Sequence, residues 1–240
     1  FNQSIKEMEI FVSHLKGQKG TVTSLAGLGD LYVSSGGGRN SKMGSYLGEG
    51  LIYSEAKKTN SVNTICIEDN KIIGHNTDIA GFELALRYIN YDVKRKKALI
   101  IGAGGVSPSI IFALKNMGCE NIYLTNRTFE KAEKIKETFN DINIQKWVDI
   151  PEFDIVINAT SVGLNNENFD LNLNKFGNNK LFYDVIYNPS ETNFLKDAKK
   201  LGHQTENGMM MFIYQARAAF KIWHKIEPLI NNKTLKICNK

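Results

Sequence analysis

A glycine-rich turn is the first group of residues whose types and spacing suggest a specific chemistry. It lies between a short apolar run and a segment of helical spacing, and it reads Gly102-Ala103-Gly104-Gly105-Val106-Ser107. Glycines permit a tight turn and let backbone N–H groups approach a pyrophosphate at the positive end of the following helix. Ser107 replaces the third glycine of the usual fingerprint and is still small enough for close packing. This context predicts a dinucleotide-binding turn, whereas the glycines alone would be weak evidence.

A second group of polar and cationic residues indicates which dinucleotide to expect. NAD-binding enzymes place Asp or Glu about 20 residues beyond the glycine turn, where it binds the ribose 2′-hydroxyl. Here that place holds no carboxylate and reads Asn126-Arg127-Thr128, with Lys131 one turn later. A guanidinium suits a 2′-phosphate because it bonds bidentately and stays charged. The sequence therefore predicts NADP as the cofactor. The plainer role for Thr128, capping the next helix, is compatible with that prediction.

A parallel sheet would bring these residues together, and the pattern after Lys97 predicts one. Apolar runs typical of buried strands alternate with segments of helical spacing. The predicted strands are 98–101, 122–124, 155–157 and 181–183, and the predicted helices are 110–114, 129–139, 191–201 and 209–224. This alternation is typical of an α/β fold of Rossmann type, a doubly wound parallel sheet with helices on both faces.

The segment before Lys97 has a different pattern. Helical spacing is expected over 1–16 and 41–58, a hairpin over 62–73 and a helix over 78–88. We therefore expect a partial, mainly helical substrate domain over 1–77, helical over 1–57 with a hairpin at 58–77. The remainder, 78–240, is expected to be an NADP-binding domain whose C-terminal helices pack back.

Composition argues against several other classes of protein. With 240 residues, 42% of them hydrophobic, the chain can build a sizeable core. No apolar run approaches the roughly 18 residues that span a bilayer, and no signal-peptide pattern is present, so no membrane association is expected. The three cysteines lack metal-ligand or disulfide spacing, which favours the cytoplasm and predicts no metal. The net charge of +5 is dispersed and its basic runs lack interleaved aromatics, so no nucleic-acid partner is expected.

From about residue 55 onward, the chain resembles the shikimate dehydrogenase family. Seven motifs occur in the family's order, which is far more specific than any one of them. They are Ser61-Val-Asn-Thr64, Gly74-His-Asn-Thr-Asp78-Ile-Ala-Gly81, Gly102-Ala-Gly-Gly-Val-Ser107, Asn126-Arg-Thr128, Asn158-Ala-Thr-Ser-Val-Gly163, Asp184-Val-Ile-Tyr-Asn-Pro189 and Gly208-Met through Gln215-Ala216. The resemblance implies an NADP-dependent oxidoreductase of the shikimate pathway, in aromatic amino acid biosynthesis, that reduces 3-dehydroshikimate to shikimate.

The resemblance also implies roles for individual residues. Ring hydroxyls of the substrate would be bound by Asn63, Asp78 and Gln215, and Tyr187 would lie near its carboxylate. The cofactor would contact Gly102, Ala103, Gly104, Gly105, Val106, Asn126, Arg127, Thr128, Lys131, Thr160, Ser161, Ile186, Gly208 and Met211. Asp78 is also the implied catalytic acid, but an ordinary Asp has a pKa of about 4 and needs a partner in proton transfer. Its alternative role is to cap a helix that begins at Ile79.

The partner that the resemblance implies is a lysine in an Asn-Val-Thr-x-Pro-x-Lys segment, which this sequence does not contain. The family's early strand and its serine-rich loop, which holds the substrate carboxylate, have no counterpart either. Lys42 lies about twenty residues before Asn63, a spacing similar to that of the family's catalytic lysine. Lys42 is therefore the candidate catalytic lysine, with a solvated lysine on a helix as the plainer interpretation.

Residues 1–57 resemble another family, in the helical C-terminal domain of NAD-dependent glycerol-3-phosphate dehydrogenase. The matching motifs are Ser24-Leu-Ala-Gly-Leu-Gly-Asp30-Leu, Gly37-Gly-Arg-Asn-Ser-Lys-Met-Gly44 and Leu47-Gly-Glu-Gly50. By that resemblance, Asp30, Arg39 and Asn40 would serve an active site. The sequence thus leaves three functions open: a shikimate dehydrogenase, impaired if the lysine is lacking; a catalytically inactive NADP-binding fusion product; and a remnant glycerol-3-phosphate dehydrogenase.

Overall fold

The computed structural model describes residues 54–68, 71–146, 152–169, 173, 177–231 and 234–235. The chain divides into two compact units, and the boundary falls between Asn76 and Thr77. Several predictions from the sequence lie outside the described residues. They are the helix expected over 1–16, most of the helix expected over 41–58, and the candidate residues Asp30, Arg39, Asn40 and Lys42.

In the first unit, a short helix leads into a β-hairpin. Helix α1 covers Ser54–Thr59, and strands β1 (Thr64–Glu68) and β2 (Lys71–His75) pair antiparallel. The hairpin expected over 62–73 is therefore present, but it begins and ends two residues later than the apolar pattern indicated.

Close contacts join the two sequence motifs of this unit. Val62 lies over Gly74, where an added Cβ would stand 2.9 Å from a Val62 methyl carbon. Asn76 donates from Nδ2 to Thr59 Oγ1 and to the carbonyl oxygen of Ser61, at 3.1 Å each. A glycine at 74 is required because the neighbouring valine occupies the space of a side chain.

The described part of the second unit is built on six parallel strands in the order β5-β4-β3-β6-β7-β8. The strands are β3 (Lys97–Ile101), β4 (Asn121–Thr125), β5 (Asn143–Ile144), β6 (Ile155–Asn158), β7 (Leu181–Asp184) and β8 (Gln204–Glu206). The helices are α2 (Asp78–Tyr88), α3 (Ser107–Asn116), α4 (Phe129–Thr138), α5 (Asn193–Lys200) and α6 (Met209–His224). The chain winds outward from β3 to β5, returns to β6 and winds outward the other way. This is the doubly wound Rossmann order, and it confirms the predicted fold class.

Two apolar clusters cover the sheet because successive side chains of a strand point to opposite faces. Ala98 and Ile100 of β3 belong to a cluster with α2, α3 and α6, whereas Leu99 and Ile101 belong to one with α5. Strands β6 and β7 are buried along their whole length, as expected for parallel strands covered on both sides. Burial of each large apolar side chain contributes about 1.5–3 kcal/mol, so these clusters are the main source of stability.

The strands and helices predicted after residue 61 are all present, with bounds that differ by at most a few residues. Two short strands, β5 and β8, were not predicted, because they are two and three residues long and mostly polar. Asp78 is the first residue of α2 and Thr77 takes the N-cap position, so the interpretation of Asp78 as a cap is wrong. None of the described helices is long and apolar enough to cross a membrane.

Candidate active site

The carboxyl ends of four neighbouring strands lie in one row. The pairing register places Ile101 opposite Thr125 on one side and opposite Asn158 on the other, with Asn158 opposite Asp184. The winding direction reverses between β3 and β6, so this row includes the switch point at which open α/β sheets bind ligands. The segments that follow these strands therefore meet at one edge, and they contain most of the predicted site residues.

The glycine turn begins directly after β3, and its first residue must be glycine. Gly102 has a φ of +111°, and an added Cβ would lie 2.7 Å from Thr160 Cγ2 and 2.8 Å from the carbonyl oxygen of Ala159. At Gly104 the nearest atom to an added Cβ is 3.7 Å away, and the residue is exposed. The protein itself thus leaves room for a side chain at Gly104, and a glycine there keeps the backbone open to a ligand.

Ser107 stabilises the turn through two hydrogen bonds of its side chain. Its side chain is fully buried, and Oγ donates to the carbonyl oxygen of Gly102 at 2.7 Å while accepting from the backbone N–H of Gly104 at 3.2 Å. Helix α3 starts at this residue, so the N-terminal end of its dipole faces the turn. A glycine turn at a helix N-terminus is the arrangement that binds a pyrophosphate.

Asn126 joins the glycine turn to the end of β4. Its Oδ1 accepts from the backbone N–H of Ala103 at 3.0 Å, and its Nδ2 donates to the carbonyl oxygen of Thr128 at 2.7 Å. Thr128 occupies the N-cap position of α4, but its side chain makes no capping hydrogen bond.

Two cations follow on the outside of this strand end. Arg127 and Lys131 are both exposed, and within the described ranges neither forms an ion pair with a carboxylate. An exposed arginine, followed in the chain by the exposed Thr128, is well suited to bind a phosphate.

The loops after β6 and β7 carry Thr160, Ser161, Ile186 and Tyr187. Thr160 is half-buried and Ser161 is exposed, whereas Ile186 is buried. Tyr187 is exposed to 39% and stacks on Phe212 of α6, with ring centroids 4.6 Å apart. This edge therefore presents two hydroxyl groups beside an apolar and aromatic surface.

Two buried polar residues end these strands. Asn158 and Asp184 are both 0% exposed, and Asn158 Nδ2 donates to Asp184 Oδ1 at 3.0 Å. Burial raises the pKa of Asp184, while hydrogen bonds from Thr192, Ile186 and Asn158 oppose that increase.

Helix α6 starts at the same edge and approaches the β7 loop closely. A Cβ at Gly208 would overlap the carbonyl oxygen of Val185, and the backbone N–H of Gly208 donates to the carbonyl oxygen of Ile186 at 3.1 Å. No side chain fits at Gly208, so the glycine sets how near the helix comes to the loop. Met210 and Met211 are buried in the first turn of the helix.

Asp78 and Gln215 lie on two helices in contact. Thr77 donates from Oγ1 to Gln215 Oε1 at 3.3 Å, and an added Cβ at Gly81 would lie 2.9 Å from the Cβ of Gln215. Gln215 therefore contacts residues on both sides of Asp78 in the first turn of α2. Asp78 itself is half-buried.

Asn63 belongs to the first unit. Its backbone N–H donates to the carbonyl oxygen of His75 at 3.0 Å, and its Oδ1 accepts from Thr64 Oγ1 at 3.1 Å.

Among the residues that the structure describes, no group of three His, Cys, Asp or Glu residues is arranged to hold a metal ion.

Comparison with known proteins identifies the family. The family model for shikimate / quinate 5-dehydrogenase matches residues 83–185. The shikimate dehydrogenase (NADP(+)) of Pelagibacter ubique (strain HTCC1062) is 56% identical over 184 residues, which cover 76% of this chain and 69% of that protein. The chain belongs to the shikimate dehydrogenase family. The resemblance drawn from the seven motifs is thereby confirmed.

Solved structures of shikimate dehydrogenases have the same fold. Shikimate 5-dehydrogenase from Listeria monocytogenes, in complex with shikimate and NAD, superposes with a TM-score of 0.74 at 29% identity, covering 82% of this chain and 74% of that one. The enzyme from Thermus thermophilus, in complex with NADP(H) and shikimate, gives a TM-score of 0.70 at 29% identity, covering 79% and 71%.

The N-terminal resemblance has a counterpart as well. The family model for the C-terminus of NAD-dependent glycerol-3-phosphate dehydrogenase matches residues 1–80. That match runs past residue 57, the predicted limit of the segment, and includes the hairpin in which the shikimate dehydrogenase motifs begin.

Proposed function

We propose that this chain catalyses the NADP-dependent interconversion of 3-dehydroshikimate and shikimate in the cytoplasm, with reduction as the physiological direction. The observation that carries the proposal is the hydrogen bond by which Asn126 joins the glycine turn to a strand end with two exposed cations. One bound dinucleotide would contact both the glycine turn and this strand end. In this proposal residues 78–240 form the NADP-binding domain, and residues 1–77 are part of a substrate domain.

The residues present fit the adenosine half of NADP. Gly102 gives the turn its shape, and Ala103 is held by Asn126. The exposed backbone at Gly104 and Gly105, followed by half-buried Val106, faces the pyrophosphate at the start of α3. Arg127 and Lys131, together with Asn126 and Thr128, bind the 2′-phosphate. A carboxylate, which would favour NAD, is absent from this strand end.

The nicotinamide half is assigned to the loops after β6 and β7 and to the start of α6. Its contacts are Thr160, Ser161, Ile186, Gly208 and Met211. When bound, the cofactor supplies or accepts the hydride, and the protein orients the ring and excludes water. Buried Ile186 and Met211 supply the apolar surface that a ring requires, while Thr160 and Ser161 supply polar contacts.

Asp78 and Gln215 are proposed to bind the hydroxyls of the substrate ring, because carboxylate and amide groups accept and donate in fixed directions. Tyr187 is proposed to lie near the substrate carboxylate. For Asn63, which belongs to the first unit, the assignment rests on the sequence motif alone. Proton transfer requires a partner for Asp78, and Lys42 is the candidate in this chain.

A spectrophotometric assay of shikimate-dependent NADP+ reduction tests the proposal. We expect Asp78→Asn to lower kcat by about 100-fold or more, the contribution typical of a positioned acid or base. Asp92→Asn is the matched control, since Asp92 is an exposed linker residue whose Oδ1 accepts from the backbone N–H of Lys94. Lys42→Ala in the same assay tests the proposed proton partner. A parent chain that binds NADP+ without oxidising shikimate would refute the proposal and leave an NADP-binding module.

A further inference from the structure

The two buried residues that end β6 and β7 connect the loops on either side of them. Asn158 and Asp184 lie directly opposite each other in the register, and an amide-to-carboxylate hydrogen bond of 3.0 Å joins them. Neither residue has any exposed surface. Neither is placed in contact with cofactor or substrate by the proposed function.

Asn158 holds the loop after β6. Its Oδ1 accepts from the backbone N–H of Thr160 at 3.0 Å and from Thr160 Oγ1 at 2.7 Å, while Nδ2 also donates to the carbonyl oxygen of Val162 at 3.0 Å. Thr160 Oγ1 in turn accepts from the backbone N–H of Val162 at 3.0 Å. The position of the Thr160 hydroxyl therefore depends on the Asn158 amide.

Asp184 holds the loop after β7 in the same way. Its Oδ1 accepts from the backbone N–H of Ile186 at 3.0 Å, and its Oδ2 accepts from Thr192 Oγ1 at 2.6 Å. Thr192 also accepts from the backbone N–H of Leu195 and so caps α5. Its side chain further packs against Gly163 of the β6 loop, where an added Cβ would lie 3.1 Å from Thr192 Cβ.

The carboxylate is held by neutral donors. Within the described residues, Asp184 forms no ion pair with Lys, Arg or His. Burying a carboxyl group without a cation is unfavourable, and the neutral hydrogen bonds offset only part of that cost, because the pKa of Asp184 is raised by burial in spite of them. A gain in stability alone therefore does not account for Asp184, whereas the connection it makes between two loops does.

We propose that Asn158 and Asp184 form a positioning pair that fixes the two loops on which the nicotinamide half of the cofactor rests. The inference rests on the proposed function, because that function assigns Thr160 and Ile186 to the nicotinamide side. The adenosine half rests on the glycine turn and the end of β4, which are held by different hydrogen bonds. Loss of the pair should therefore weaken binding of the nicotinamide half of the cofactor and leave binding of the adenosine half unchanged.

Measuring the affinity of the full chain for two ligands distinguishes the two halves of the cofactor site. NADP+ contacts both halves, whereas adenosine 2′,5′-bisphosphate carries the 2′-phosphate and adenosine without a nicotinamide. We expect Asp184→Asn, which keeps the shape but loses the charge, to raise the Kd for NADP+ about tenfold and to change that for the bisphosphate less than twofold. Asp154→Asn is the matched control. Asp154 precedes β6 at the opposite edge, where its Oδ2 accepts from the backbone N–H of Lys97 at 2.9 Å, and both affinities should stay as in the parent.

Thr192 supplies a second test if Asp184→Asn does not fold. Thr192→Val removes the hydroxyl that donates to Asp184, and we expect the same selective loss of NADP+ affinity. Thr192→Ser keeps the hydroxyl and should bind both ligands as the parent does. Equal loss of affinity for the two ligands, or unchanged NADP+ affinity, in Asp184→Asn or Thr192→Val would overturn the positioning role. A parent chain that binds neither ligand would instead refute the proposed function.

Discussion

The backbone N–H of Ala103 donates to Asn126 Oδ1 at 3.0 Å, so a side chain from the end of β4 holds the turn that follows β3. The two strands are neighbours, with Ile101 opposite Thr125, and the backbone N–H of Gly102 donates to the carbonyl oxygen of Thr125 at 2.8 Å. The two sequence features from which NADP was predicted are therefore parts of one hydrogen-bonded unit. Arg127, the residue that follows Asn126 in the chain, lies beside these hydrogen-bonded residues.

Arg127→Ala should weaken binding of NADP+ and leave binding of NAD+ unchanged. A hydrogen bond to a charged group contributes about 1.5–3 kcal/mol, which corresponds to a rise in Kd of roughly 10- to 100-fold. The two Kd values can be measured by fluorescence titration. Arg87→Ala, at an exposed position in the last turn of α2, is the control and should alter neither. Equal affinity of the parent for the two cofactors would contradict the assignment of Arg127.

Two glycines of the same turn should respond differently to substitution by alanine, one in cofactor affinity and the other in stability. Gly104→Ala places a methyl group where the nearest atom is 3.7 Å away, so the free energy of unfolding should change by less than about 1 kcal/mol. Cofactor affinity should nevertheless fall, because the methyl group blocks close approach of the pyrophosphate. Gly102→Ala should destabilise the fold by about 2 kcal/mol or more, since it combines a positive φ with backbone overlap.

Chemical denaturation and cofactor titration distinguish these outcomes. Full NADP+ affinity in Gly104→Ala would show that the cofactor does not approach the turn in the manner proposed.

Tyr183→Phe should stabilise the protein. The Tyr183 hydroxyl is buried and has no hydrogen-bond partner among the described residues, which costs about 1–3 kcal/mol. The ring itself packs edge-on against Phe82, at 5.1 Å between centroids, and phenylalanine keeps that contact. Tyr91→Phe is the control with the opposite sign, because the Tyr91 hydroxyl donates to the carbonyl oxygen of Asp154 at 2.8 Å. A lower unfolding midpoint in urea for Tyr183→Phe would contradict the structure.

Glu167 should give the fold part of its acid sensitivity. Backbone N–H groups of Asn165 and Gly163 lower the pKa of Glu167 from 4.5 to about 2. A folded-state pKa below the unfolded value means that the stabilisation is present above about pH 4.5 and is lost as the pH falls towards 2. Glu167→Gln should therefore lower Tm at neutral pH and have a smaller effect near pH 2. A difference in Tm that does not depend on pH would refute this assignment.

The sequence predicted the framework of the second unit because its signals are local. Buried strands such as Leu99–Ile101 read as continuous apolar runs, and the glycine turn follows one of them directly. The role of Asp184 could not be predicted, because it depends on a register that places Asn158 opposite and on a loop that returns Thr192. The available signal was a polar residue directly after each buried run. Gly208 was expected to contact the cofactor, but its close approach to Val185 arises only from packing.

Shikimate oxidation by the parent chain, measured side by side with NADP+ and NAD+, is the decisive experiment for the proposed function. We expect an increase in absorbance of the reduced cofactor that requires shikimate, with kcat/KM at least about tenfold higher for NADP+ than for NAD+ because only NADP+ engages Arg127. A parent chain that reduces NAD+ as efficiently as NADP+, or that reduces neither in the presence of shikimate, would contradict the proposed function.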